Sequence, residues 1–229
     1  MIPQHLHPVV LNNIAVQNLE QGNTEFACKI FASAVKLILS APMDFSSTEQ
    51  MFSKSAHFSW SNVVYDNIKT RRNETSDRTF MFSRAICIEN YSPTADLTQL
   101  SNDMKAGIIY NTGLAFHLIA MENNDSNFLS KARDTYSLSQ TILREASMNG
   151  IISKLCFDYN FHVILLNNLG QISYELVDYD ASSYFFYQLS VNLNHIASQP
   201  KNEINFENCD MNGMKSNVIV ELPNAAPCA

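Results

Sequence analysis

The segment Leu166-Asn-Asn-Leu-Gly-Gln-Ile-Ser-Tyr-Glu-Leu-Val-Asp-Tyr-Asp-Ala-Ser-Ser-Tyr-Phe-Phe186 decides the fold, because its pattern occurs again near the start of the chain. In both copies an apolar residue is followed by two asparagines, another apolar residue and a small residue. A second small residue comes twelve positions after the first: Ser182 after Gly170 in this copy, and Ala27 after Ala15 in the other. Such self-similarity is typical of repeat architectures.

A third and looser copy lies between these two. It begins with Ile109-Tyr-Asn-Thr-Gly113, and its second small residue, Ala132, comes nineteen positions after the first. The seven extra residues fall around 122–127, where the sequence Glu-Asn-Asn-Asp-Ser-Asn is typical of a turn. We therefore predict that this copy differs from the others in the length of its turn.

The repeated small residues have a physical explanation in a pair of antiparallel helices. A small residue on each helix lets the two backbones approach, and a bulky side chain from the neighbouring helix fills the remaining space; the candidates are Phe31, Tyr136 and Phe186. One such pair cannot bury its apolar face alone, so several pairs must stack. The sequence contains three.

The order bulky-x-x-Leu-Gly-x-x-aromatic, followed by Ala-x-x-x-aromatic, resembles the tetratricopeptide repeat. The matching positions are Leu11, Ile14, Ala15, Ala27, Phe31 and Ala34 in the first copy, Ile109, Gly113, Phe116, Ala132 and Tyr136 in the second, and Leu166, Leu169, Gly170, Ser182 and Phe186 in the third. The resemblance covers residues 8–41 and 104–198. Asn18 and Ser173 replace an aromatic residue of the family pattern, Leu189 replaces a small one, and no tryptophan opens a repeat. An unrelated helical bundle is the alternative.

Apolar periodicity near 3.6 residues predicts six helices, at 9–21, 24–40, 97–121, 127–148, 155–177 and 180–197. The expected fold class is all-α: a short α-solenoid of three antiparallel helix pairs, as the resemblance implies. The helical domain is expected over residues 1–198, interrupted by an irregular insertion at 42–96. Residues 199–229 form a C-terminal extension.

The insertion and the extension contain short strand signals. Apolar residues alternate over 79–89, and a second candidate strand runs from Trp60 to Ile68. In the C-terminal extension, the β-branched run at 217–222 predicts a third strand. We expect 79–89 and 217–222 to pair as a small sheet that covers the end of the helical array.

Composition excludes several classes of protein. The chain has 229 residues, 46% of them hydrophobic, which suits one globular domain. Six glycines are too few for glycine-rich phosphate loops, and a net charge of −7 disfavours binding to nucleic acid or to anionic membranes. No signal peptide and no apolar run of about 18 residues is present, and the five cysteines are dispersed, so we expect a cytoplasmic protein.

No local motif of a hydrolase, a metalloprotease, a nucleotide-binding loop or a paired-cysteine metal site is present. We therefore expect no catalytic residue, no metal and no cofactor, although a site assembled from distant residues would escape this test. Four groups have suitable residue types, but ordinary structure explains each of them better. They are His5 with His7, Asp158 with His162, the calcium-loop-like set Asn123, Asp125, Asn127 and Asp134, and the basic cluster Lys69–Arg72.

The resemblance implies a concave surface on which a peptide or a partner protein lies. The family's groove positions correspond to Asn12, Val16, Tyr110, Leu114, His117, Asn167, Gln171 and Tyr174. These residues are amides, aromatics and aliphatics, and segments 9–21, 107–121 and 161–177 contain no lysine or arginine. We therefore expect a non-catalytic interaction scaffold that does not require an acidic ligand.

Three alternatives stay open. The repeated asparagines Asn12, Asn111 and Asn167 could simply bond between adjacent helices. The insertion could close a pocket around His117, or around Asp158 and His162, as in an enzyme or a small-molecule binder. The aromatic run Tyr184–Tyr187, if partly exposed, could join copies of the chain into a structural homo-oligomer.

Overall fold

The computed structural model describes residues 6–40, 57–62, 81–91, 100–150, 160–198 and 208–219. This part of the chain is mainly helical, as predicted, with one small sheet. Its helices are α1 (Pro8–Glu20), α2 (Thr24–Ser40), α3 (Asn102–Asn123), α4 (Ser126–Met148), α5 (Phe161–Glu175), α6 (Tyr179–Ser198) and α7 (Asn208–Ile219). Its strands are β1 (His57–Trp60) and β2 (Ile86–Glu89). Within the described ranges, no helix is both long and apolar enough to cross a membrane.

The helix ends have local causes. The Ser101 hydroxyl accepts a hydrogen bond from the Met104 amide at 3.2 Å and so caps the start of α3. Asn124 takes a left-handed conformation, with φ of 56°, and ends that helix. The Asp125 carboxylate accepts from the Asn127 amide at 2.8 Å and starts α4. A turn is therefore present at 124–125 within the predicted range, but the prediction that this turn is longer than the others is wrong. It has two residues, against three at 21–23 between α1 and α2, and the extra residues lengthen α3 and α4 instead.

The predicted contact between a small residue and an aromatic ring is confirmed in two helix pairs. A Cβ atom on Gly113 would lie 2.8 Å from the Tyr136 ring, and one on Gly170 would lie 2.5 Å from the Phe186 ring. Real Cβ atoms do not approach other atoms so closely, so each position accepts only glycine without a shift of the ring. The Ser182 hydroxyl also donates to the Gly170 carbonyl at 2.9 Å.

The chain divides into two compact units. Unit 1 comprises residues 1–72 and 83–155, and unit 2 comprises 73–82 and 156–229. In unit 1, α1 packs on α2, α3 packs on α2 and α4, and β2 lies against α1 and α3. In unit 2, α5 packs on α6, and α7 contacts both.

The sheet differs from the prediction. Residues 86–89 of the predicted strand 79–89 do form β2, but β2 pairs antiparallel with β1, which places Phe58 opposite Ile88 and Trp60 opposite Ile86. The second predicted strand, Trp60–Ile68, overlaps β1 only at Trp60, and its residues from 63 onwards lie outside the described part.

The strand predicted at 217–222 is wrong where it is described, since 217–219 belong to α7. Met214 and Asn217, three residues apart, are both buried, as they would be on one face of a helix. Burial of that face in unit 2 outweighs the β preference of Val218 and Ile219. The predicted pairing of 79–89 with 217–222 is therefore wrong as well.

Candidate functional site: asparagines that bind an extended segment

Three asparagines occupy the same position in the three helix pairs, two residues before the small residue of the first helix. They are Asn13 before Ala15, Asn111 before Gly113, and Asn168 before Gly170, and we call them the backbone-binding asparagines. Each uses both polar atoms of its side chain to bind the main chain of one residue between 81 and 89. Ile86 and Ile88 are bound within unit 1, and Phe82 is bound within unit 2. Residues 83–89 of unit 1, which we call the extended segment, consist of β2 and the three residues before it.

Two of these asparagines lie in unit 1. The Asn111 Oδ1 accepts from the Ile86 amide at 2.8 Å, and its Nδ2 donates to the Ile86 carbonyl at 2.8 Å. The Asn13 Nδ2 donates to the Ile88 carbonyl at 2.7 Å, and its Oδ1 accepts from the Ile88 amide at 3.1 Å. Ile86 and Ile88, the two residues that these asparagines bind, are both buried.

The third lies in unit 2 and makes the same pair of bonds. The Asn168 Oδ1 accepts from the Phe82 amide at 3.0 Å, and its Nδ2 donates to the Phe82 carbonyl at 3.0 Å. Asn168 and Phe82 are both buried. The geometry therefore recurs at three equivalent positions.

The chemistry of this recognition is that of a β-ladder. A carboxamide carries one acceptor oxygen and a donor NH₂ group, which is the hydrogen-bonding pair that a residue of a neighbouring strand would offer. On the other edge of the extended segment, the Ser61 amide donates to the Ala85 carbonyl at 2.8 Å, and the Ala85 amide donates to the Ser61 hydroxyl at 2.8 Å. The polar groups of Ile86 and Ile88 thus meet asparagine side chains, whereas those of Ala85 meet Ser61.

Asn12 and Asn167, two of the predicted groove residues, support the backbone-binding asparagines. The Asn12 Nδ2 donates to the Ile86 carbonyl at 3.0 Å, and its Oδ1 accepts from Asn111 at 2.8 Å. The latter bond joins α1 to α3, so the interpretation of repeated asparagines as links between helices holds here as well. In unit 2, Asn167 donates to the Asn168 Oδ1 at 3.1 Å and accepts from Asn217 of α7 at 2.8 Å.

Tyr110 also reaches the extended segment. Its hydroxyl donates to the Arg84 carbonyl at 3.2 Å. The centroid of its ring lies 5.5 Å from that of the Tyr136 ring and 6.3 Å from that of the Trp60 ring, which it contacts edge-on. Tyr110 therefore holds the main chain two residues before Ile86.

The other predicted groove residues are Val16, Leu114, His117, Gln171 and Tyr174. All are buried except Tyr174, which is partly exposed and contacts the Tyr179 ring. His117 is fully buried, burial lowers its pKa to about 3, and neither ring nitrogen has a hydrogen-bond partner among the described residues. The imidazole is therefore neutral at physiological pH.

The weaker candidates have structural roles or lie outside the described residues. His7 accepts from the Val9 amide at the start of α1 and bonds the Tyr91 hydroxyl at 2.7 Å, while its pKa is lowered by burial. His5, Asp158 and the cluster Lys69–Arg72 lie outside the described part. No group of three or more His, Cys, Asp or Glu side chains that could hold a metal ion occurs within the described ranges.

Asn13, Asn111 and Asn168 are the candidate site residues that the predicted groove did not include. The groove positions implied by the resemblance fall one residue earlier, on Asn12, Tyr110 and Asn167. A usable signal was nevertheless present, because only the position two before the small residue is asparagine in all three copies.

No family model matches the chain, and neither a curated protein nor a solved structure matches it. The candidate site is therefore defined by the geometry of the chain itself.

Proposed function

We propose that this protein is a non-catalytic interaction scaffold that binds an extended segment of a partner protein through the main chain of that segment. The observation that carries the proposal is the threefold repetition of the asparagine pairing, at Asn13, Asn111 and Asn168. In the structure each bound residue belongs to the same chain and to the same unit as its asparagine. A partner's segment in an extended conformation would offer the asparagines of a unit the same donors and acceptors.

The tetratricopeptide-like pattern supports the proposal. We infer that the helix pairs α1–α2, α3–α4 and α5–α6 are repeats of one unit in a short α-solenoid, and that the first helix of each pair supplies the peptide-binding face. The equivalent positions of the three asparagines on α1, α3 and α5 are what such a repeat would produce.

The energetics suit a peptide-binding protein. A single hydrogen bond contributes only about 0.5–1.5 kcal/mol of net free energy. Several paired bonds, together with burial of apolar side chains, are needed for useful affinity. Because the bonds go to the main chain, they fix the conformation and the register of the ligand, and its side chains then decide specificity.

The proposal is tested by affinity capture from native lysate with the full-length chain, the variant Asn111→Ala and the variant Asn168→Ala. We expect each variant to lose partners that the wild-type chain retains, since each loses both bonds to one ligand residue. Asn194→Ala is the matched control, because Asn194 is an exposed amide on α6. Thermal unfolding followed by circular dichroism must show that the compared variants are folded.

Hydrogen exchange on a captured complex locates the contact. Partner binding should change the exchange of the Ile86 and Ile88 amides and leave the outer face of α6 unchanged. Equal capture by the wild-type chain and both asparagine variants would contradict the proposed function.

A further inference from the structure

We infer that the extended segment is a built-in competitor for the binding site, and that the partner's segment has the same chemistry. That chemistry is an extended stretch with aliphatic side chains two positions apart and no proline at the residues bound by asparagine. The inference rests on the proposed function, since it concerns the occupant of the same site.

The first step is the occupancy of the site. Every polar side-chain atom of Asn13 and Asn111 bonds either the extended segment or a neighbouring asparagine. Because these atoms already have partners, a second strand cannot bond them in the same way while the extended segment is bound. An external peptide must therefore replace the extended segment.

The second step is the side-chain preference. Ile86 and Ile88 are both buried, whereas Cys87 between them is only partly buried and Glu89 is exposed. A Cβ on Gly107 of α3 would lie 3.5 Å from two Ile86 side-chain carbons, so this glycine lies in direct contact with the isoleucine. The site therefore accepts branched aliphatic side chains at these two positions and places few demands on the residue between them.

The third step is the backbone requirement. Proline has no amide hydrogen, so a proline at the position of Ile86 or Ile88 would leave the asparagine Oδ1 atom without its donor. Charge plays a small part, because segments 9–21 and 107–121 carry no lysine or arginine. The expected ligand is a strand of another protein that carries β-branched residues at these two positions.

The test uses a fluorescein-labelled peptide with the sequence of residues 83–90, all from unit 1, and the change Cys87→Ser. Its binding to the full-length wild-type chain and to the full-length variant Ile86→Pro is measured by fluorescence anisotropy. Ile86→Pro removes the amide hydrogen that Ile86 donates to the Asn111 Oδ1 atom, and so weakens the internal competitor while it leaves the sequence of the helices unchanged. We expect the variant to bind the peptide at least tenfold more tightly than the wild-type chain does.

Two controls make the result specific. The double variant Ile86→Pro/Asn111→Leu should lose the peptide, and so should a peptide that itself carries Ile86→Pro. If thermal unfolding shows that the Ile86→Pro chain is not folded, the variant Ile86→Ala/Ile88→Ala replaces it, since that variant trims the competitor's side chains and keeps its amides.

The outcomes separate the two proposals. Equal tight binding by the wild-type chain and a folded variant would overturn the competitor role and leave the peptide-binding function standing. Absence of binding to every folded variant would overturn both. Binding that persists in the Asn111→Leu double variant would show that the peptide lies elsewhere and would also overturn the inference.

Discussion

The α3–α4 pair of unit 1 and the α5–α6 pair of unit 2 pack in the same way but support their asparagines differently. In both pairs a glycine faces an aromatic ring at a distance that excludes a Cβ atom. In unit 1, however, Asn111 is bonded to Asn12 of another helix pair, whereas in unit 2 Asn168 is bonded to Asn167, which Asn217 of α7 holds in turn. The close contact between a glycine and an aromatic ring is therefore made within each helix pair. The support of the binding amide comes from outside the pair: from Asn12 of α1 in unit 1 and, through Asn167, from Asn217 of α7 in unit 2.

This difference gives α7 a definite role. Where a second helix pair supplies the supporting amide in unit 1, the C-terminal helix supplies one in unit 2. Helix α7 is thus part of the candidate site in unit 2. Substitutions at the glycine–ring contacts should lower the stability of a helix pair. Substitutions at the supporting asparagines should instead change the protection of the residue that the binding asparagine holds.

The largest effect is expected from Gly170→Leu. The new side chain would overlap the Phe186 ring and separate α5 from α6, which should lower the free energy of unfolding by more than about 3 kcal/mol. Chemical denaturation measures this loss. The control is Gly107→Ala on α3, where an added Cβ makes only ordinary contact, and there we expect a gain of up to about 1 kcal/mol from better helix propensity. A Gly170→Leu chain as stable as the wild type would contradict the close packing.

Asn111→Leu and Asn168→Leu should each cost about 2–4 kcal/mol, because a buried amide and its partners lose their hydrogen bonds. The comparison becomes sharper with residue-resolved hydrogen exchange. Asn111→Leu should accelerate exchange at Ile86, and Asn168→Leu should accelerate it at Phe82. Acceleration at both amides in either variant would show that the two sites do not act separately.

Asn217→Ala tests the support from α7. Loss of its bond to Asn167 should destabilise unit 2 by about 1–2 kcal/mol and increase exchange at Phe82, while Ile86 keeps its protection. Lys215→Ala is the control, since Lys215 is exposed on the same helix. Protection at Phe82 that survives Asn217→Ala would mean that α7 does not support the site.

The smallest expected effect is the contribution of His117, in unit 1, to the pH dependence of stability. Burial lowers the pKa of His117 from 6.5 to about 3, so the unfolded chain binds a proton more readily than the folded chain between these values. Stability should therefore fall as the pH drops below 6.5, by about 1 kcal/mol between pH 7 and pH 5.5 from this group. His117→Leu should remove that part of the pH dependence. Identical pH profiles for the wild type and the variant would exclude His117 as the cause.

Local patterns predicted most of the helical structure. Four of the six predicted helices agree with the observed bounds to within one residue at each end, because apolar periodicity and polar turns are encoded within a few residues. The strand predicted at 217–222 is wrong over 217–219, because burial of Met214 and Asn217 on one face of a helix outweighs the β preference of this β-branched run.

The candidate site was only partly predictable. The repeat indicated asparagines, but adjacent residues on a helix point about 100° apart, and the sequence does not decide which of Asn12 and Asn13 faces a ligand. Nor does it show that Ile88 lies beside Asn13, since 75 positions separate them. Contacts of this range depend on how whole elements pack.

The same separation has a consequence for synthesis. Asn13 leaves the ribosome long before Ile88, and Phe82 appears long before Asn168, to which it is 86 positions distant. Asn13 therefore has no Ile88 to bond until that part of the chain has been made, and Ile86 gains its partner Asn111 only after α3 has been made. Loop closures of this length are slow, so we expect the last step of folding to be the docking of the extended segment.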